Sequence, residues 1–475
     1  MTVEDLASST PYTNHYFSSL SPALLRFVPL LHRMHAVPPG DRFTYVELGC
    51  GQALSLLVMA AANPAAEFHG VDYSPAHVAR ARRMAAAAGL GNVHFLEKRF
   101  EDMVEADLPQ ADIIALHGVY TWIGPQTRDA VVRVLARNLK PGGIAHLSYN
   151  TLTSWTPLLP IQRLMNAYAE QQGRGGAEDR AGQAMQFIEK LLGTNAGYFK
   201  DQKAMSKWLE HIRAGDIRYV LHEYFVRHWE PLQHSDVVDA LATAKLSFVG
   251  TCDVVDTIDR FVMAPETAKF VGELPAGPMR ETVRDLVRNN GFRRDVFVRG
   301  PAPMTPAEWR DQVRVQRFAP MRRRDRCPLS VSFPVGKVDI NAQAFDPLLD
   351  RLADGPASIA ELGALVGEAQ DGVVLRRLVT LVAAGYAYPC PPDSDTDPAP
   401  AARFNRTIVR EIAAGHPHDI LATPVLGAGI RIPSSRVAGH ADGTLPPAAP
   451  GSEAETDTLA EQRLIRAVDL RFAPS

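Results

Sequence analysis

Tyr45-Val46-Glu47-Leu48-Gly49-Cys50-Gly51-Gln52-Ala53 is the stretch that decides the fold. A short apolar run enters an acid and two glycines, and the alanine-rich segment 53–62 follows. Physically this is a strand, a tight loop and a helix. Glycine permits the sharp turn and the close approach of backbone to a ligand. The start of the helix offers free N–H groups to an anion. Outward from this point the chain alternates. Strands are expected at 42–48, 67–71, 92–96, 112–116 and 144–148, and helices at 53–62, 75–88 and 127–139. Lys140-Pro141-Gly142-Gly143 reads as the turn closing the last helix. Such alternation means a parallel sheet with helices on both faces, an α/β, Rossmann-like class.

The rest of the 475 residues divides by pattern. Residues 1–41 form a helical lead-in and 42–154 the α/β core. Residues 155–330 form a helical middle region, with strands returning to the core at 246–251 and 294–299. Within 331–392, Ile359, Leu362, Leu365, Val366, Leu375, Leu378 and Leu381 at helical spacing, followed by Tyr386-Ala387-Tyr388, suggest a winged-helix-like domain. Residues 393–475 are expected to be a linker, 393–402, and a C-terminal segment, loosely packed at 438–455. Met321-Arg322-Arg323-Arg324-Asp325-Arg326 reads as a solvated linker.

Hydrophobic residues make up 46% and charged residues 22%, enough to bury a proper core. A net charge of -3 disfavours a nucleic-acid partner. Cys50, Cys252, Cys327 and Cys390 lie far apart and read as free thiols. The acidic N-terminus and the absence of a long apolar run predict no signal peptide, no membrane span and a cytoplasmic location. His32 and His35 alone do not make a metal site, and none is expected.

The loop chemistry selects a ligand. A dinucleotide fingerprint needs a third glycine where the helix meets the strand, and Leu54 stands there. Glu47, just ahead of the glycines and separated from them by Leu48, instead suits S-adenosylmethionine (SAM), its carboxylate meeting the amino group while the Gly49–Gly51 backbone meets the carboxylate. Asp72, ending the second strand, is expected to accept the ribose hydroxyls, with helix capping as the alternative. Gln52, Tyr73 and His117 join the cofactor set, as do Phe100, packing on adenine, and its neighbour Glu101. The last two are read equally well as a core ring and a helix cap. Acceptor chemistry is placed at the ends of the fourth and fifth strands, with Tyr120, Tyr149 and Asn150 orienting the acceptor and Trp122 and Trp155 contacting it. No Asn/Asp-Pro-Pro-Tyr or Pro-Cys motif of a DNA methyltransferase is present.

Tyr12-Thr13-Asn14-His15-Tyr16-Phe17, Leu20-Ser21-Pro22, the Glu47–Gln52 loop, Ala60-Ala61-Ala62-Asn63-Pro64, Gly70-Val71-Asp72, His117-Gly118-Val119-Tyr120, Ser148-Tyr149-Asn150-Thr151, His222-Glu223 and Phe292-Arg293-Arg294-Asp295 together carry a resemblance. The chain resembles bacterial class I SAM-dependent methyltransferases with a methyltransferase regulatory domain, and among them the rickettsial outer-membrane-protein lysine methyltransferases. The resemblance implies a seven-stranded methyltransferase sheet, SAM as cofactor, Tyr12 and Tyr16 as further cofactor residues, and lysine side chains of a protein as acceptor. A small-molecule N- or O-methyltransferase and a non-catalytic SAM-binding regulator are the alternatives; the oligomeric state, homodimer included, is open. Two departures stand out: Ala53 where many relatives carry Gly, and Leu152-Thr153-Ser154-Trp155 in place of the more usual Pro-Gly-Trp ending.

Overall fold

The computed structural model describes residues 14–37, 42–103, 108–194, 196–199, 203–367, 370–392 and 396–434. Tyr12 and the 438–455 stretch lie outside them.

Seven strands form the central sheet: β1 (Thr44–Leu48), β2 (Glu67–Asp72), β3 (Val93–Glu97), β4 (Ala111–Leu116), β5 (Leu139–Asn150), β6 (Leu246–Thr251) and β7 (Phe292–Arg299). Their order is β3-β2-β1-β4-β5-β7-β6. The first five are parallel, whereas β7 runs antiparallel between β5 and β6. The order reverses beside β1, so the crevice at the carboxyl ends of β1 and β4 is where an α/β sheet binds its ligand. Lys140–Gly143, expected as a turn, belongs instead to β5, which starts with a register shift against β4.

Helices α1 (Pro22–Leu31), α2 (Leu54–Ala62) and α3 (Pro75–Ala88) cover one face, and α4 (Pro125–Asn138) covers the other. Every residue of α2 is buried. A helix apolar all round needs cover all round, and the cover on its far side comes from the other end of the chain.

Next come α5 (Leu159–Gln171), α6 (Ala177–Gly193), α7 (Lys203–Ala214) and α8 (Ile217–Tyr224), which share a separate apolar cluster around Ile161, Met165, Ile188 and Val220. They dock at the carboxyl ends of β4 and β5: the Trp122 indole N–H donates to the Glu223 carbonyl at 3.0 Å. Beyond them, α9 (His234–Ala242) joins α4 on the sheet, and α10 (Pro278–Arg288) leads into β7.

Helices α11 (Ala342–Ala353), α12 (Ile359–Leu365) and α13 (Asp371–Ala383) pack with a three-stranded antiparallel sheet of β8 (Arg317–Pro320), β9 (Ala357–Ser358) and β10 (Ala387–Cys390). The central strand, β8, precedes the boundary expected at residue 331. The basic run is not a free linker either. Arg324 pairs with Asp346 and Asp350 of α11, and Arg322 lies over the Tyr386 ring.

The largest departure is at the C-terminal end. Residues 399–402, expected within a linker, start α14 (Ala399–Ala413), and the hairpin β11 (Ile420–Thr423) and β12 (Ala428–Arg431) follows. Both pack on α2, and α14 also on α3. Arg80 pairs with Glu411 at 3.0 Å, and Asn63 Nδ2 donates to the Gly427 carbonyl at 2.8 Å. Among the described residues no helix is long and apolar enough to cross a membrane.

Candidate functional site

The loop after β1 is pinned before it reaches α2. The N–H groups of Gly49 and Cys50 both donate to the Val71 carbonyl on β2, at 2.8 and 3.0 Å. Gly49 and Gly51 take φ of 78° and 55°, left-handed values that favour glycine. A methyl group at Gly49 would lie 2.5 Å from Val119 Cγ2, so the loop after β4 packs directly on it.

Glu47 is the most informative side chain. It is 5% exposed, and its Oε2 has no hydrogen-bond partner. Burial, and then the charge of Asp72, push its pKa up to about 8. A buried carboxyl with no donor is costly, and a ligand cation relieves that cost. The α-amino group of SAM fits this vacancy in hydrogen bonding. Asp72 Oδ2 accepts the Gly51 N–H at 2.8 Å, and Oδ1 accepts the Ser74 N–H at 2.9 Å. Oδ1 also lies 3.3 Å from His77 Nδ1, so Oδ2 is the oxygen that keeps a lone pair for a ribose hydroxyl. Cys50 is buried beside both acids, and burial first, then their charges, raises its pKa well above that of an ordinary thiol. It stays protonated and poorly nucleophilic.

The remaining cofactor candidates divide. Phe100 reaches the loop, its ring tip close to Gly49. Gln52 is half-buried in the loop, and Tyr73, 61% exposed, stands at its rim. Glu101 instead accepts from the Thr127 hydroxyl on α4, which lowers its pKa; its carboxylate ties the short helix Phe100–Met103 to α4. Tyr16 is also used differently. It is buried, its hydroxyl accepts the Gly429 N–H at 2.9 Å, and burial pushes its pKa up to about 12. It holds the C-terminal hairpin. His117 lies under Phe17, ring centroids 4.1 Å apart, and burial holds its pKa well below the usual value, with His146 and Arg294 adding to the shift. A neutral His117 is a poor proton acceptor at physiological pH. Phe17 was noted within the Tyr12–Phe17 block and given no role of its own. Its N–H donates to Ser55 Oγ at the start of α2 while its ring covers His117, so it spans the crevice.

Tyr149 requires a correction. Expected to orient the acceptor, it is fully buried on the far face of β5, with Ala145 and Leu147. Its hydroxyl donates to Asp295 Oδ2 at 2.6 Å and lies 3.0 Å from His234 Nδ1. Arg293 completes the cluster, bonding Asp295 at 2.9 Å, Asp285 at 2.8 Å and Glu281 at 3.0 Å. Burial alone would raise the Asp295 pKa, but Arg293, aided by His234 and Tyr149, holds it at about 2. The physical reason is the strand period. Neighbouring residues face opposite sides, so Tyr149 and Asn150 do not both reach one site.

Ser148 and Asn150 lie on the side of β5 opposite to Tyr149. Ser148 Oγ accepts the Gly118 N–H at 2.9 Å, and the buried Asn150 amide lies beside the Glu223 carboxyl. Tyr120 is buried against Arg128, and burial raises its pKa to about 12. Trp122 and Trp155 are half-buried and meet the helical region. Trp155 donates to the Gly291 carbonyl at 2.6 Å and stands edge-on to Trp229, centroids 5.4 Å apart, with Tyr224 at 6.2 Å. Beside them the structure brings up Glu223, which sequence reasoning noted within a motif and gave no role. It is 8% exposed. Burial raises its pKa to about 7, with Asn150 and Tyr219 holding it partly down. The one signal in sequence was an acid inside Tyr219-Val220-Leu221-His222-Glu223-Tyr224-Phe225, a largely apolar helix.

Comparison with known proteins agrees with this layout. A family described as "Methyltransferase domain" matches residues 46–145, and one described as "Predicted methyltransferase regulatory domain" matches residues 216–299. An uncharacterised protein of Synechocystis sp. is 31% identical over 430 residues, covering 89% of this chain and 84% of that one. An uncharacterised protein of Rickettsia prowazekii is 29% identical over 222 residues, 45% of this chain and 84% of its own. PKMT2 from Rickettsia typhi, solved in complex with AdoHcy, shares the fold at a TM-score of 0.68 and 19% identity, over 96% of this chain and 97% of that one.

Proposed function

The chain belongs to the bacterial class I SAM-dependent methyltransferases that carry a methyltransferase regulatory domain, and from that premise we propose that it methylates lysine side chains of a protein. SAM is the cofactor, and when bound it supplies a methyl group already activated on a sulfonium. The protein's task is then orientation and exclusion of water. In this reading Glu47 pairs with the amino group, the Gly49–Gly51 backbone meets the carboxylate, Asp72 accepts from the ribose and Phe100 packs beside the adenine.

The observation that carries the lysine reading is the aromatic wall of Trp122, Trp155, Tyr224 and Trp229 where β4 and β5 meet the helical region. Aromatic faces attract an alkylammonium. The whole-length likeness to PKMT2 supports the same reading. Asn150 is assigned to orient the amine, a role no longer shared with Tyr149.

Incubation of the purified protein with methyl-labelled SAM and either cell protein or a metabolite extract tests it. Label recovered as methyllysine in protein bands is expected. Label confined to the small-molecule pool, or tight SAM binding without transfer, would overturn it.

A further inference from the structure

We propose that Glu223, on α8 within the regulatory-domain segment, takes the proton from the acceptor ammonium before methyl transfer. The inference rests on the lysine reading above and deepens it. A lysine ammonium, with a pKa of about 10.4, has no lone pair to attack with until it loses a proton.

Position is the first argument. Val119 packs on Gly49 of the cofactor loop. Three residues on, Trp122 donates to the Glu223 carbonyl at 3.0 Å. One short loop after β4 therefore links the cofactor crevice to this acid. Its carboxyl lies beside Asn150, the last residue of β5.

Chemistry is the second argument. The buried acids Asp285 and Asp295 are paired with Arg293, and Glu230 with Arg128. Glu223 has no cationic partner among the described residues. The titratable groups facing it are Tyr219 and Tyr224, whose pKa values burial and the Glu223 charge both raise, so they stay neutral. A buried carboxyl with only neutral neighbours is a receptor for one ligand cation. Its pKa of about 7 suits a group that accepts a proton and returns it to solvent near neutrality.

The step balances. An N–H bond of the ammonium breaks and its proton forms an O–H bond on the Glu223 carboxylate. The bonding pair stays on nitrogen. That pair forms the bond to the methyl carbon as the carbon–sulfur bond breaks, its electrons remaining on sulfur. Positive charge passes to the methylated nitrogen, and the Glu223 proton leaves to solvent.

The test uses the full chain, labelled SAM and a protein acceptor across the acid and alkaline sides of neutrality. Wild-type kcat/KM, which reports the free enzyme, should rise with pH and level off above about 7, near the Glu223 pKa. E223Q should lose about 100-fold or more at neutral pH, and its residual rate should keep climbing toward the amine's own pKa. E223D should recover part of the rate and the plateau. SAM dissociation constants, read by calorimetry, should be unchanged in both variants, which shows an intact crevice. Methyllysine formed by E223Q at the wild-type rate and with the wild-type plateau would overturn the proposal alone. A wild type that labels no lysine would overturn the lysine reading, and this proposal with it.

Discussion

Glu47 ties one atom to a measurable pH dependence. Its pKa of about 8 compares with 4.5 for an unperturbed glutamate. Between those values the folded protein keeps a proton that the unfolded chain has released, so stability falls as pH rises through that window. An incoming ammonium favours the ionised carboxyl. SAM binding is therefore expected to expel a proton, and affinity to climb by up to about tenfold per pH unit below about pH 8. Calorimetry in buffers of different ionisation heat should read close to one proton released per site for wild type and close to none for E47Q. Equal release in both would exclude Glu47 as the partner. Tyr149 makes the opposite kind of prediction. Tyr149→Phe leaves Asp295 and His234 short of a buried hydrogen bond and should cost about 1–3 kcal/mol. SAM affinity and turnover per folded molecule should hold. Lost turnover with unchanged denaturation would return Tyr149 to the chemistry.

At the scale of elements, the strands and helices around the loop were legible in the sequence because one periodicity sufficed. An apolar run that ends in glycine and starts an alanine-rich helix has few alternatives. The departure at Ala53 was legible too, and its cost became visible in the backbone: φ is 63° and ψ 25°, left-handed for a residue with a Cβ. That geometry costs about 1–2 kcal/mol in a non-glycine residue, and a glycine there gives back about 0.4–1 kcal/mol in unfolded-chain entropy. Ala53→Gly should therefore stabilise by up to about 1 kcal/mol and raise the denaturant midpoint without changing its slope. A lower midpoint would mean that Ala53 packing outweighs the strain. Tyr149 was misread because it was assigned together with Asn150, against the strand's two-residue period.

At the scale of the molecule, the chain closes on itself. The C-terminal helix and hairpin complete the cover of α2, a fully buried helix with one polar residue, Ser55, that also packs on α3, β2 and β3. Phe404 on α14 is fully buried in the same apolar cluster as α2 and α3. Phe404→Ala should cost about 3–5 kcal/mol and speed hydrogen exchange along α2, more than 300 residues away in sequence. Unchanged exchange over residues 54–62 would show that the C-terminal segment folds as an independent appendage. Glu223 belongs to this scale as well. Its burial is set by helices gathered from separate stretches of chain, so no local pattern announces it.

What the sequence determined by itself was the Glu47–Gly51 loop, its preference for SAM over a dinucleotide, and the alternating sheet around it, because each depends on near neighbours along the chain. The tertiary structure alone decided that Tyr16 holds a hairpin, that Tyr149 belongs to an ion cluster, that Glu101 ties helices, and that an unpaired acid stands beside Asn150. Those roles depend on burial and on partners tens to hundreds of residues away. Desolvation and hydrogen-bond completion act through space, and sequence spacing does not encode them.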